Sequence, residues 1–570
     1  MRMVTASLFI LLAAQIAVSE TPECIYYNGK VVTVGNIPRA EAFAVKGARF
    51  LAVGSTEAMR KLAGPSTKLV DLKGRTVLPG LMDSHTHPIT AALSEKDGAI
   101  PTFHTIADVQ SYVTKLAKSQ KTEQTIYVPK VYASRLQDLR YPTRQDLDKA
   151  APGRVVLLDT GYNAVLSSAA LAKVSIDRDT KQPANGRIQK DAAGEPNGLI
   201  LGAAQLWSSL KPPSTASVEE QVRALQKMQT AYNAVGITST VDRGLNAEGF
   251  RVYQELQKRG GITVRSNLTF LMDGTGDPKE LTRTIEAIPF VTGFGDDWVR
   301  VGAIKVVADG GILLGTAYLR EPYGTHTEVY GYEDPHYRGV LAVPAANLVE
   351  MARTANRLGW QMTAHTTGGG ATDLLLDAYE AANREHSIVG RRFTVTHGNF
   401  PNAQAIARAK KLGVAFDVQP AWLHLDGHVM KNVFGPDRIR DFLPLRTLLD
   451  QGLVVVGGSD HMIRFDSREA INPYNPFFGM WMAITRRTAD GAVLHPEQAI
   501  TREEALRMWT SSGAYLTFEE KVKGSIEVGK LADFVVISKD FAKCPVDEIK
   551  DIEALLTVVG GRTVYQAPAY

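Results

Sequence analysis

Two histidines separated by one residue, His85 and His87, follow the apolar run VLPGLM. In an extended segment their side chains point to the same side, so both imidazoles can bind one metal ion. A lone His-x-His pair is weak evidence, because polar loop residues share this spacing. Three more potential ligands each follow an apolar run typical of a strand, and these are His365, His397 and Asp460. The joint placement predicts a metal centre assembled from strand ends.

A lysine, Lys305, lies inside the apolar run VRVGAIKVVADGG. Burying its charged form there would be costly. One interpretation is a neutral amine that reacts with carbon dioxide to give a carbamate bridging two metal ions. The other is a structural lysine paired with Asp309. The residues alone leave both open.

Short β-rich runs alternate with amphipathic helical windows, which is typical of a parallel α/β sheet. The strand candidates span residues 76–82, 236–241, 263–271, 300–307, 360–364, 393–396, 413–418 and 453–457. Eight strands with crossover helices predict an α/β fold of the (β/α)8 TIM-like barrel type. In such barrels the catalytic residues lie at the C-terminal ends of the strands, where the potential ligands fall.

The domain organisation follows from the segments outside that pattern. Residues 23–75 and 515–570 contain short strands with tight turns, and together they predict one small β-sandwich built from both chain termini. Residues 76–514 form the predicted barrel. Within it, residues 90–215 are a cap-like insertion after the first barrel strand, which we expect to roof the active site.

Composition narrows the class of protein. The 570 residues are 44% hydrophobic, enough for a sizeable core, so a disordered or coiled-coil chain is excluded. Lys and Arg number 64 against 60 Asp and Glu, a net charge of +4, so nucleic acid is not the expected partner. We expect a small-molecule substrate. The sequence leaves open whether the protein forms a homo-oligomer.

The first 19 residues are typical of a signal peptide, because the uncharged run 4–18 is short for a membrane span and is followed by Glu20. We therefore expect a secreted or periplasmic protein with no stable membrane span after cleavage. The alternative is an uncleaved anchor.

The chain has two cysteines, Cys24 and Cys544, one near each end. In an oxidising compartment they would form either a disulfide within the terminal sandwich or two free thiols.

The motifs VLPGLMDSHTHP, the strand lysine, the later histidines, GSD ending at Asp460 and GSIEVGKLADFVVI together resemble the amidohydrolase superfamily. KVVADG from Lys305, Tyr323, ARAKKLGVAFDVQP and NPFFGMWMAITRRT are similar to amidohydrolase family 3, the branch of YtcJ-like proteins and N-substituted formamide deformylase. The resemblance runs from about residue 25 to the C-terminus.

This resemblance implies a hydrolase with one or two divalent metal ions, usually Zn2+. The positions that map to metal ligands are His85, His87, Lys305 as the bridging carbamate, His365, His397 and Asp460. Asp460 is the expected catalytic proton shuttle. We expect cleavage of a C–N bond in an amide, formamide, urea or cyclic amide. Ester or lactone hydrolysis and a non-catalytic binding role are the alternatives.

Departures from the family pattern concern the substrate. The insertion has Gly161-Tyr162-Asn163 where relatives tend to have Gly-His-Ser, and the sixth strand has Thr396-His397 in place of Glu-His, so we expect a carboxylate behind the ligands to be missing. Candidate substrate-binding residues are Tyr162, Trp422, His424 and His461, with packing as the alternative for each. The apolar segments AWLHL and NPFFGMW favour an aromatic or hydrophobic substituent.

Overall fold

The computed structural model describes residues 20–570 except 97, 184, 214–215, 325–327, 332–333 and 569. The predicted signal peptide, residues 1–19, lies outside the described residues. Across the described part of the chain, no helix is long and apolar enough to cross a membrane.

Eight parallel strands among the described residues form one sheet in sequence order, as predicted for the barrel. From first to eighth, the barrel strands are Leu81–Thr86, Ile237–Leu245, Arg265–Leu271, Val299–Val307, Met362–Thr366, Thr394–His397, Ala415–Val418 and Val455–Gly457. The loop after the eighth strand closes the sheet onto the first, since Asp460 N donates to His85 O at 2.8 Å and His87 N donates to His461 O at 2.8 Å. The closing loop therefore carries one predicted ligand directly against two others.

The predicted first strand, residues 76–82, is divided in two. Thr76–Pro79 pairs with the terminal sheet, and Leu81–Thr86 is the barrel strand. Gly80 lies between them, where a Cβ would come within 2.2 Å of Thr238 Oγ1. The absence of a side chain lets the chain cross between the two sheets at this point.

Helices connect the barrel strands and cover them. Helices that begin after Thr105, Thr143, Ser217 and Thr501 have a capping box, in which the cap hydroxyl and an acidic side chain satisfy the first N–H groups. The α-helices are Thr56–Arg60, Pro88–Ser94, Ile106–Ser119, Arg144–Ala150, Ser168–Lys173, Val218–Asn233, Ala247–Lys258, Pro278–Glu286, Ala345–Leu358, Gly369–Glu385, Ala403–Leu412, Pro420–Arg438, Leu445–Asp450, Pro476–Thr485, Arg502–Met508 and Ser511–Leu516.

Both ends of the chain contribute to a pair of terminal sheets, as predicted. Four strands form one sheet: Arg49–Gly54, Ala42–Lys46, Cys24–Tyr27 and Lys68–Asp71. Six form the other: Arg562–Gln566, Ala554–Val559, Phe534–Ile537, Thr76–Pro79, Lys30–Val32 and Arg39–Ala40. Between them Tyr26, Phe43, Phe50 and Phe534 form a cluster of aromatic contacts. These ring contacts bury apolar area that neither terminal segment could bury alone.

The insertion after the first barrel strand contains its own sheet within the described residues. Its strands, in order across the sheet, are Gly186–Lys190, Pro196–Gly202, Asn163–Leu166, Val156–Asp159 and Ile126–Pro129. The turn before Asn163 carries Tyr162, whose hydroxyl lies 3.1 Å from His365 Nδ1. The insertion therefore contacts the mouth of the barrel.

The two cysteines are both free. Cys24 packs at the terminal aromatic cluster, whereas Cys544 packs against the barrel core. The structure therefore has two free thiols and no disulfide between Cys24 and Cys544, because the two side chains pack against different hydrophobic clusters.

Candidate metal centre

His85, His87 and Asp460 form a group whose ligand atoms all lie within 4.8 Å of one another. Asp460 Oδ1 is 3.3 Å from His85 Nε2 and 3.3 Å from His87 Nε2. The strand direction places both histidines, and the backbone of Asp460, at a φ of 57°, turns its carboxylate towards them. Asn472 Nδ2 donates to Asp460 O at 2.8 Å and lies 3.4 Å from Oδ2, which holds this carboxylate in place.

Lys305 reaches this group from the fourth barrel strand, with Nζ 3.2 Å from His85 Nε2. The side chain is buried, and burial lowers its pKa to about 8, although Asp460 opposes the shift. A neutral amine is therefore accessible near neutral pH, as carbamate formation requires. Among the described residues Asp309 is not its ion-pair partner. Asp309 instead accepts backbone N–H bonds from Tyr318, Thr367 and Gly368 at 2.8–3.0 Å.

His365 and His397 complete the set of imidazoles. Their ring centroids are 4.5 Å apart, and the His397 ring stacks on His85 at 4.9 Å. His365 Nε2 lies 3.1 Å from Gly310 O, and His397 Nδ1 lies 2.6 Å from Gln419 Oε1. Both acceptors are carbonyl oxygens, so these nitrogens carry the protons. The opposite nitrogen of His397, Nε2, keeps its lone pair for a ligand-binding role, whereas that of His365, Nδ1, lies 3.1 Å from the Tyr162 hydroxyl.

Asp417, on the seventh barrel strand, provides an oxygen acceptor for a ring nitrogen of His85. Its Oδ2 lies 3.0 Å from His85 Nδ1, and Ser84 Oγ donates to its Oδ1 at 2.9 Å. Arg243 Nη2 lies 3.2 Å from Oδ2, so the carboxylate has a buried counter-ion. Burial raises the pKa of Asp417 to about 6, and Arg243 opposes the rise. Sequence reasoning missed both residues, although a carboxylate inside the apolar run VAFDVQP was a usable signal.

Position 396 carries a threonine in place of a carboxylate, and the carboxylate on the neighbouring strand, Asp417, contacts a different histidine. The Thr396 hydroxyl lies 2.6 Å from Thr363 Oγ1 and takes no part in the imidazole group. Asp417 on the next strand meets His85 instead. Asp417 is therefore a carboxylate behind His85 that the sequence analysis did not identify.

Two of the four candidate substrate-binding residues lie at the centre. Tyr162 contacts His365, and Trp422 stacks on His397 with centroids 4.7 Å apart. The other two have structural contacts in place. His424 packs on Phe478 and Trp481, with Nδ1 2.7 Å from Arg487 O. His461 is buried, with Nδ1 2.9 Å from Tyr232 OH and Nε2 2.7 Å from Arg464 O.

The donor set fits a divalent metal ion. Burial, reinforced by the Lys305 charge, lowers the pKa of His85 and lowers that of His365 to about 3. Burial likewise lowers the pKa of His397, with the His365 charge as the next contribution. These three imidazoles are therefore neutral at neutral pH, the protonation state that a metal ligand needs. Two histidines with one carboxylate are a donor set common among sites for zinc and related ions.

The sequence is similar to those of known proteins of one family. A model of the amidohydrolase family matches residues 68–565. N-substituted formamide deformylase of Arthrobacter pascens is 28% identical over 541 residues, covering 92% of this chain and 95% of that protein. YtcJ of Bacillus subtilis is 27% identical over 570 residues, covering 95% and 99%.

Solved structures share the fold. An uncharacterized metal-dependent hydrolase from Pyrococcus furiosus superposes with a TM-score of 0.65 at 21% identity, covering 91% of this chain and all of that one. Atrazine chlorohydrolase TrzN from Arthrobacter aurescens, solved with zinc, gives a TM-score of 0.52 at 15% identity, covering 95% of each chain.

Proposed function

Because the chain belongs to the amidohydrolase family, we propose that it is a metal-dependent hydrolase of a C–N bond in an amide, formamide, urea or cyclic amide. The observation that carries the proposal is the convergence of His85, His87 and Asp460 within 4.8 Å, with Lys305 Nζ 3.2 Å from His85. A divalent ion bound there, for which we propose zinc, would polarise a carbonyl and lower the pKa of a water molecule.

The protein's own groups supply the proton transfer and the orientation. Asp460 Oδ1 faces both first-strand histidines, so it is placed to take a proton from water and deliver it to a leaving amine. Asn472 holds Asp460 through its backbone oxygen and Oδ2, and burial of His85 and Asp460 limits the access of bulk water. Tyr162 and Trp422 stand beside the imidazoles and are proposed to contact the substrate.

Metal analysis followed by a substrate panel tests this function. The purified protein should contain one or two equivalents of a divalent metal and hydrolyse at least one member of a panel of aryl amides, formamides, ureas and cyclic amides. Lactones and aryl esters in the same panel test the alternative leaving group. A protein that binds no zinc, or that stays inert towards every C–N substrate when zinc-loaded, contradicts the proposal.

Export is a second, independent part of the proposal. The leader-like composition of residues 1–19 supports a secreted or periplasmic location. Sequencing the N-terminus of the protein isolated from the natural host should find residues 1–19 removed. An intact leader in the cytosolic fraction would contradict it.

A further inference from the structure

A cavity of about 750 Å³ lies beside the insertion, with Lys130 among its lining residues. Its walls are the insertion, the helix Pro420–Arg438 and the loop that follows Asp460. Much of the lining is apolar, including Val131, Leu136, Leu425, Val429, Val433 and Ile471. Such a cavity has the size and character to hold the apolar part of a small molecule.

Two cations line this cavity without an acidic partner. Among the described residues no carboxylate forms an ion pair with Lys130 or with Arg464, whose guanidinium donates to the Thr102 hydroxyl at 2.7 Å. Arg135, by contrast, is paired with Asp426 at 2.8 Å. Among the described residues that line the cavity, four are Lys or Arg and one, Glu469, is acidic, so the lining keeps an excess of positive charge.

The carboxylate nearest to Lys130 in the insertion is already engaged. Asp159 Oδ2 accepts from Tyr127 OH at 2.8 Å and lies 2.7 Å from Lys211 Nζ, while its Oδ1 accepts from Gly161 N at 2.7 Å. Lys211 supplies the counter-charge for Asp159. Lys130 keeps its donors available for another acceptor.

The position of Lys130 connects the cavity to the metal centre. Its Nζ lies over Gly161, where a Cβ would come within 2.6 Å of it, and the next residue is Tyr162, which contacts His365. Burial lowers the pKa of Lys130, and the negative charges of Asp159 and Asp460 oppose the shift. The ammonium therefore lies close enough to Asp460 for the two charges to interact. Lys130 is half-buried, and an ammonium held partly away from water without an ion-pair partner is stabilised by an anionic ligand.

We propose that Lys130 binds a carboxylate of the substrate, so that the substrate class is an amide-type compound carrying an apolar group and a carboxylate close to the scissile bond. This inference rests on the proposed function, because that function places the scissile bond at the metal centre. The apolar wall of the cavity takes the apolar group, and Lys130, between the cavity and Tyr162, takes the anion.

A matched substrate pair tests the proposal with the zinc-loaded enzyme. N-Formylphenylalanine and N-(2-phenylethyl)formamide differ only in the carboxylate. The ratio of their kcat/KM values should favour the acid in the wild type and fall about 10- to 100-fold in Lys130→Met, the range expected for a charge-assisted hydrogen bond. Lys130→Arg should retain most of the ratio. Lys118→Met, an exposed lysine of the same insertion, is the matched control and should leave it unchanged.

Binding by calorimetry separates failure of this inference from failure of the proposed function. The zinc-loaded protein should bind 3-phenylpropanoate at least about tenfold more tightly than 3-phenylpropan-1-ol, and Lys130→Met should remove that preference. If neither formamide is hydrolysed but the Lys130-dependent preference is present, the anion site stands and the hydrolase assignment to this class falls. If Lys130→Met leaves both the kinetic ratio and the binding preference unchanged, the carboxylate site is wrong.

Discussion

Asp417 determines which nitrogen of His85 faces the metal centre, because a carboxylate 3.0 Å from Nδ1 keeps the proton there. The same carboxylate is the counter-ion of buried Arg243. One side chain thus joins a ligand of the first barrel strand to a cation of the second.

Replacing Asp417 with Asn should weaken zinc binding by about 10- to 100-fold, the usual cost of altering a group that orients a ligand histidine. Competition with a chromogenic chelator measures the change. Asp426→Asn is the matched control: Asp426 is also buried and paired with an arginine, Arg135, but does not contact the imidazoles. Equal zinc affinity in wild type and Asp417→Asn would show that Asp417 does not orient His85.

Lys305 and Asp460 should give different defects. Lys305→Ala removes the amine that the carbamate interpretation needs, so at least one metal equivalent and nearly all turnover should be lost, with partial recovery of both on adding short carboxylic acids. Asp460→Asn keeps an oxygen near both histidines and should retain most metal, while turnover falls by about 10²- to 10⁴-fold, as expected for a lost proton-transfer group.

Metal content by mass spectrometry and single-substrate kinetics distinguish the two variants. Full metal and near-normal turnover in Lys305→Ala would make the lysine structural. Loss of all metal in Asp460→Asn would instead show that its main role is ligation.

At the scale of elements, the placement of candidate ligands at strand ends was predictable because each follows an apolar run typical of a buried strand, as at His365, His397 and Asp460. The division of residues 76–82 into two strands was not predictable. Thr238 leaves no room for a side chain at Gly80, and Thr238 is remote from Gly80 in sequence. Pairing of Arg243 with Asp417 was hidden for the same reason. Such contacts depend on how strands distant in sequence pack together, and the periodicity of the sequence does not predict that packing.

The segment around Glu527 ties the two chain ends together. Its carboxylate accepts from Asn36 N at 3.1 Å and Ser525 Oγ at 2.5 Å, and Lys530 Nζ lies 2.9 Å away. Burial raises the pKa of Glu527, but these hydrogen bonds outweigh it and lower the pKa to about 2. An unfolded glutamate titrates near about 4.3. The ionised group therefore stabilises the fold fully above about pH 4.5, and that contribution disappears as the pH falls towards 2.

Glu527→Gln should accordingly lower the free energy of unfolding by about 1–2 kcal/mol at pH 7, with the difference from wild type shrinking as the pH falls from about 5 to 3. Urea unfolding across that pH range measures it. Glu503→Gln, in an exposed pair with Arg507, should change little at any pH. A difference that stayed constant with pH would mean that the carboxylate charge contributes nothing.

At the scale of the whole molecule, the barrel is joined to the terminal sheets by a buried ion pair. Arg265, which begins the third barrel strand, donates from Nε and Nη2 to the two oxygens of Asp533 at 2.7 and 2.9 Å. The two side chains are 2% and 5% exposed. Asp533 also accepts from Gly560 N at 2.7 Å, so the pair joins the barrel to two segments of the C-terminal region. Sequence patterns predicted the barrel and the terminal sheets but not this contact between them.

A double-mutant cycle tests whether that pair holds the two bodies together. Asp533→Ala alone leaves Arg265 buried without its partner and should cost about 3–5 kcal/mol, whereas Arg265→Met with Asp533→Ala removes both charges and should cost clearly less than the sum of the single variants. Urea unfolding followed by circular dichroism gives the free energy of unfolding of each variant. The exposed pair Arg357 and Glu286 provides the matched cycle and should show almost no coupling, because solvent screens it. Additivity at Arg265 and Asp533 would mean that this ion pair does not contribute to holding the terminal sheets to the barrel.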